Sequence, residues 1–508
     1  MSGRDSLLAL GGALFGATAV LAISSAASKD RFDEMGPRLV RKLSFKTPPT
    51  VVVVDPFSSG MMLCSLLEKA GYAVIRVLSK DFGPEIENLV PKNIKKVNFV
   101  ESLRFNSFFK GTEEENNSAN DTYQAAVEKL VVAIMRIGGV HIENFMVGCE
   151  SGVELLDSVT DCYRRLDPRN PTVLTNGISQ SLARRDKWVM GETVRQAGLR
   201  SVNQIEVRGG GFTEASRFIE RQKDSTTGEF SVVLKPAASA GSEGVFFATT
   251  MADAEMYFNQ IYGQRNVFGE LNSSVLVQEF LAGKEYVVDS VSVEGIHKTV
   301  AIWEYDKREA NNAKFVYYGM RLFESDSGER EDALVAYMHK VLDALGVRHG
   351  PSHGEIMWTS TGPCLVEVGC RPHGGEGTFV CLVDKPVGYN QLSVMVDSHE
   401  NRSKFYKLPT RPKKLMAFSM EVCLVNNFSG TFVGINPERM AEIEGLLTFK
   451  EAEIKVDVGS TISVTIDFIT SPGCILLCGD KQDVERDCVT IHSMADLFII
   501  RKCRKQSL

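Results

Sequence analysis

The chain has 508 residues, of which 44% are hydrophobic and 24% charged. That is a globular composition, long enough for two to four domains with their own cores, and it excludes a disordered or fibrous protein. The net charge of -7, with basic residues scattered among acids, leaves no electrostatic footprint for nucleic acid.

The first element is the uncharged stretch Leu7 to Ile23, long enough to cross a bilayer and carrying Gly12 and Gly16 at GxxxG spacing. It is expected to anchor the chain in a membrane, and Lys29, Arg31, Arg38, Arg41 and Lys42 behind it, against Arg4 before it, favour a cytoplasmic location for the rest of the chain. A cleaved targeting peptide ending near "SSAAS" and a buried helix are the alternatives. The eleven cysteines include no CxxC pair and no histidine at zinc spacing, so they are expected to be free thiols in a reducing compartment.

After a polar linker, "PTVVVVDPFSSGMMLCSLLEKAGYAVIRVLS" predicts strand, glycine turn, helix and strand, and the unbroken Val51 to Val54 run suits a strand covered on both faces. With the helix "YQAAVEKLVVAIMRIG" it predicts an open α/β layer over 49–170. The turn "DPFSSGMM" lacks GxGxxG and is expected to be architecture. From Pro171 the pattern becomes α+β, and from about Arg411 it is rich in alternating strands.

Within that second part, "SVVLKPAASAGSEGVFFAT" ends a buried strand on Lys235 and runs through Ser239, Ala240, Gly241, Ser242, Glu243 and Gly244. A lysine at a strand end can aim its ammonium into a cleft, and a loop of small residues offers backbone N–H groups to phosphate oxygens. A plain hairpin with a surface lysine is the competing reading. Further on, Glu279, Phe280 and Leu281 join two apolar runs where an adenine could be held, and Glu285 could take ribose hydroxyls; a hairpin with a solvated carboxylate competes. In "AIWEYDKREANNAKFVYYGMRL", Tyr305 and Lys307 could form an aromatic wall and a cation for a substrate, or belong to cross-strand pairs.

Glu355 and Glu367 each sit in an otherwise apolar strand on either side of a Thr-Gly-Pro turn. If the strands pair, two carboxylates lie side by side, an arrangement that is costly without a cation between them; hard oxygen ligands near triphosphate imply Mg2+. Arg371 follows and can present a fixed cation to a transferring phosphoryl group. Cys370 beside it is expected to be packing, since this chemistry needs no covalent nucleophile.

In order, "RRDKWVMGETVRQAGL", "VVLKPAASAGSEGV", "VQEFLAGKEYVVD", "HGEIMW" and "LVEVGCRPHGG" resemble the motifs of the ATP-grasp superfamily, most closely its carboxylate–amine ligases of the L-amino-acid ligase type, over 49–505. The resemblance implies an ATP-grasp fold of α/β and α+β class: a hydrophobic segment and linker at 1–48, an α/β pre-ATP-grasp domain at 49–170, the ATP-grasp domain at 171–400 and a β-rich domain at 401–508. It implies Lys187 and Lys235 on ATP phosphates, Glu279, Phe280 and Leu281 at the adenine, Glu285 at the ribose, Glu355 and Glu367 on Mg2+ (or Mn2+), Arg371 at the reacting phosphate and His353 near the acyl substrate. It further implies an acylphosphate that an amine converts to an amide, with ADP and phosphate released, and the family is often dimeric. An ATP-grasp ligase of nucleotide biosynthesis or biotin carboxylase type and a membrane-anchored nucleotide-binding pseudoenzyme are the alternatives. One departure stands out, because many members read Glu-x-Asn where this chain has Glu367, Val368 and Gly369.

Overall fold

The computed structural model describes residues 47–501, apart from 83–93, 95, 110–118, 171, 210, 238–240 and 267–268. The apolar stretch 7–23 and Cys503 lie outside the described residues. Among the described residues no helix is long and apolar enough to cross a membrane, and the ten described cysteines are free.

The N-terminal part is a parallel sheet of four strands, ordered β3-β2-β1-β4, with β1 Pro49–Val54, β2 Ala73–Leu78, β3 Phe99–Arg104 and β4 His141–Val147. Strand β1 is apolar throughout because both of its faces are covered. Val51 and Val53 pack with Leu63 and Leu67 of helix α1 (Ser59–Lys69). Val52 and Val54 pack with Leu130 and Val159 of helices α2 (Ala119–Met135) and α3 (Val153–Leu166). Buried Asp55 accepts hydrogen bonds from the Ser79 and Ser151 hydroxyls and closes this layer, whereas Phe57, Ser58 and Ser59 of the same "DPFSSG" turn, expected to be architecture alone, line the cleft described below.

Helix α4 (Lys187–Gln196) opens the second part and is capped by Asp186, whose carboxylate accepts the Val189 N–H at 2.9 Å. Four antiparallel strands follow, ordered β5-β8-β6-β7: β5 Gln204–Arg208, β6 Val232–Pro236, β7 Phe246–Ala248 and β8 Ser274–Glu279. The larger sheet has eight strands, ordered β13-β12-β9-β10-β11-β14-β18-β16. Its members run β9 Lys284–Val293, β10 Ile296–Ala310, β11 Ala313–Leu322, β12 Gly350–Thr359, β13 Gly362–Gly369, β14 Phe418–Cys423, β16 Phe449–Ile454 and β18 Gly473–Gly479. It therefore contains strands from both sides of residue 400, and a small sheet of β17 Thr461–Ile462, β15 Gly430–Ile435 and β19 Phe498–Arg501 lies beside it.

The two strands joined by Glu279 to Leu281 lie in different sheets: β8 belongs to the four-stranded sheet and β9 to the eight-stranded one. The competing hairpin reading of 275–293 thus gives way to a crossing between two sheets, and Glu279, Phe280 and Leu281 of that crossing line a cleft.

Candidate active site

The β12–β13 hairpin sets Glu355 directly opposite Glu367. In the pleat of an antiparallel pair, opposite residues point to the same face, so both carboxylates enter the cleft. Glu367 Oε2 lies 3.0 Å from Lys187 Nζ. Lys187 is the first residue of α4, and its backbone N–H donates to the Ala237 carbonyl at 3.2 Å, tying that helix start to the end of the strand that carries Lys235. Glu355 Oε1 lies 3.6 Å from His353 Nε2. Burial would raise the Glu355 carboxyl, but the His353 hydrogen bond and the charges of Lys307 and Arg371 outweigh it and hold it well below the usual carboxylate range.

Lys235 is 5% exposed, and burial pushes its ammonium down to about 8, with Lys187 adding to the effect and Glu367, Glu355 and Glu285 opposing it. The following turn enters left-handed backbone at Gly241, Ser242 and Gly244. Gly241 and Ser242 line the cleft, whereas Gly244 packs against the Pro236 ring and Ser239 lies outside the described residues. Strands β6 and β7 do pair as a hairpin, and its turn is a wall of the cleft.

The sheet crossing supplies Glu279, Phe280 and Leu281 to the same cleft, whose volume is about 550 Å3. Glu279 is held on both sides by Asn203, donating its N–H to the Asn203 carbonyl at 2.9 Å and accepting the Asn203 N–H on Oε1 at 2.8 Å. Phe280 packs edge-on against Phe247 at 4.9 Å between centroids. Glu285 and Lys307, which the sequence assigns to different ligands, form an ion pair of 2.7 Å. Burial raises the Glu285 carboxyl to about 7, against the pull of Lys307. Tyr305 and Lys307 lie in a hairpin, β10 with β11, and the Lys307 ammonium stands 4.9 and 4.5 Å from the Tyr305 and Tyr317 ring centres.

Several residues of the site are not apparent from the sequence. Arg371 Nε lies 3.1 Å from Oε2 of Glu150, in the turn after β4. Asp289 is fully buried and gathers three donors: His353 Nδ1 at 2.8 Å on Oδ1, and His373 Nδ1 and Trp303 Nε1, both at 2.7 Å, on Oδ2. These three acidic and imidazole groups are close enough to hold a metal ion, but the indole N–H and both imidazole Nδ1 atoms already occupy the carboxylate. The arrangement instead orients the His353 ring, whose Nε2 is 3.4 Å from the Tyr305 hydroxyl. A polar residue flanked by valines in "VVDSV" and a histidine inside "RPHGG" were the available signals.

At Gly369 the space of a side chain is already filled. A Cβ there would lie 2.8 Å from Glu150 Oε2 and 3.0 Å from the Arg371 guanidinium, so the space of a side chain is occupied by that ion pair. Among the described residues lining the cleft, Glu355 and Glu367 remain an opposed pair of hard oxygen donors that fits a divalent cation of the Mg2+ type.

The sequence profile described as the ATP-grasp domain matches residues 228–379. The chain is similar to dapdiamide A synthase of Enterobacter agglomerans, 26% identical over 436 residues that cover 85% of this chain and 92% of that protein. In fold it is similar to the L-amino acid ligase of Bacillus licheniformis, with a TM-score of 0.65, 15% identity and coverage of 90% of this chain and all (100%) of that one. The biotin carboxylase domain of the Hydrogenobacter thermophilus 2-oxoglutarate carboxylase, solved as a dimer with MgADP, ADP and bicarbonate, aligns with a TM-score of 0.55 and 14% identity over 90% of this chain and 91% of that one.

Proposed function

We propose, from the premise that this chain is an ATP-grasp carboxylate–amine ligase, that it activates an amino acid at its carboxylate and joins it to an amine. The observation that carries this reading is the convergence of Glu355, Glu367, Lys187, Lys235 and Arg371 on one cleft, between a phosphate-type turn and a sheet crossing suited to a nucleotide base.

Lys187 and Lys235 hold the phosphate oxygens of ATP, and the crossing at Glu279 to Leu281 takes the adenine. Glu355 and Glu367 would hold Mg2+, or Mn2+ at the same oxygens, and the cation supplies charge neutralisation at the phosphates. An oxygen of the substrate carboxylate attacks the γ-phosphorus, the bond to the β-phosphate oxygen breaks, and ADP leaves. Arg371, locked by Glu150, presents a fixed positive charge to the migrating phosphoryl group and spends little reorganisation in doing so. The amine nitrogen then attacks the acyl carbon, the carbon–oxygen bond to phosphate breaks, and the nitrogen releases a proton as the amide forms. The walls of Phe280, Tyr305 and Tyr317 exclude the water that would hydrolyse the acylphosphate.

The test is phosphate release from ATP and Mg2+, screened over single L-amino acids and pairs, with Glu367→Ala as control. Release that requires a carboxylate and an amine together and disappears in the variant supports the ligase. Release that requires bicarbonate instead would move the chain to the carboxylase alternative.

A further inference from the structure

Five lysine and arginine side chains line the cleft among the described residues: Lys187, Lys235, Lys307, Arg371 and Lys455. Lys187 and Lys235 face the paired glutamates, Lys307 is paired with Glu285 and Arg371 with Glu150. Lys455 is different in origin. It follows β16, the edge of the large sheet, and its backbone N–H is pinned to the Pro472 carbonyl at 2.9 Å.

Its ammonium stands 4.4 Å above the Phe468 ring and 3.1 Å from Glu376 Oε2. That ion pair is close but poorly directed, because the buried Oε2 accepts no well-aligned hydrogen bond among the described residues. Glu376 also sits in left-handed backbone at φ 52°, fixed by the hydrogen bond from its N–H to Ser58 Oγ at 2.8 Å. Such backbone costs a non-glycine residue on the order of 1 kcal/mol and persists where surrounding contacts enforce it. Phe468 packs edge-on to Tyr317, whose hydroxyl is 3.2 Å from the Ser242 hydroxyl of the glycine turn. The lysine therefore lies along the same cleft as the phosphate turn, on the wall made by the C-terminal strands.

An amino acid serving as the amine substrate keeps its carboxylate through the reaction, whereas the acyl donor's carboxylate is consumed. A retained carboxylate enclosed in a cleft needs a cation to offset the loss of its water. We propose that Lys455 receives the carboxylate retained by the amine substrate, with Glu376 holding the lysine in position until that substrate arrives, so that the enzyme takes amino acids in preference to simple amines. The inference rests on the ligase reading. A charged lysine on an aromatic face suits this role, and against burial the charges of Glu376, Glu421 and Glu453 keep the Lys455 ammonium protonated.

The experiment compares full-length wild type with Lys455→Met and Lys455→Arg, using the common L-amino acids and the matching L-amino-acid amides as acceptors. A charge-assisted contact supports a rise of about tenfold in acceptor KM for the Met variant with the free amino acid. With the amide, wild type and variant should be equal, the Arg variant should retain most of the selectivity, and KM for ATP and for the acyl donor should not move. Turnover with an unmoved acceptor KM, or an equal rise for the amide, overturns the subsite alone. A wild type that turns over no carboxylate and amine pair overturns the ligase reading, and this subsite with it.

Discussion

Arg371 and Glu150 meet across two sheets, with Nε 3.1 Å from Oε2, one residue from the turn after β4 and the other from the end of β13. The contact fixes a guanidinium that would otherwise range over the cleft. Glu150→Gln should leave the fold intact and, with Arg371 acting on the phosphoryl group as proposed, lower kcat by about 100-fold, the penalty of a misplaced catalytic group. KM for ATP should change little, and steady-state kinetics with a matched melting curve separates positioning from instability.

Gly369→Asn, which would put a side chain where this chain has none, should harm the protein. Its Cβ would press within 2.8 Å of the Glu150 carboxylate, and overpacking of this kind costs about 1–3 kcal/mol. Urea unfolding should report that loss, and phosphate release should fall with it. An active, equally stable variant would show that the Arg371–Glu150 pair can move aside.

If Lys235 holds ATP phosphates as proposed, its proton ties nucleotide binding to pH. Burial brings its folded value to about 8 against an ordinary 10.5, so the free enzyme loses this charge above about pH 8. MgATP should bind progressively more weakly from there, with proton uptake visible by calorimetry in buffers of different ionisation enthalpy. Lys235→Arg should remove the dependence, since guanidinium stays charged. The stability effect has the opposite sense: between about 8 and 10.5 the unfolded chain holds the proton more tightly, so the contribution of Lys235 to the stability of the nucleotide-free protein rises with pH.

Asp289 is the anion on which two imidazoles and an indole depend. Burial opposes its charge, but His373 and His353 overcome this and hold the carboxyl well below its usual range. The resulting stability is present above the unfolded carboxyl value and is lost as pH falls below it. Asp289→Asn places an amide against groups that only an acceptor satisfies, and should lower the unfolding free energy by about 3 kcal/mol, measurable in urea.

Local chemistry made part of this molecule readable from its residues, and distance hid the rest. Val51 to Val54 announce a strand covered on both sides, and Glu355 and Glu367 announce a site because carboxylates are costly in apolar strands. The ion pair of Arg371 with Glu150 spans 221 positions and that of His373 with Asp289 spans 84, and no periodicity reports such partners. Lys307 and Glu285 illustrate a different limit. Each has a chemistry suited to an incoming ligand, and only their proximity reveals that they first neutralise each other. Likewise, two apolar runs separated by a short turn look like a hairpin until the sheets they join are known.

The pairing of β11 with β14, Gly319 opposite Val422 through Arg321 opposite Met420, stitches residues beyond 400 into the sheet that bears Tyr305 and Tyr317. A chain cut near 400 would leave β11 as a raw edge with unmet N–H and C=O groups, inviting aggregation or the borrowing of a strand from another copy. The C-terminal strands are accordingly no detachable module: recombination with a relative would have to exchange them together with the hairpin they flank.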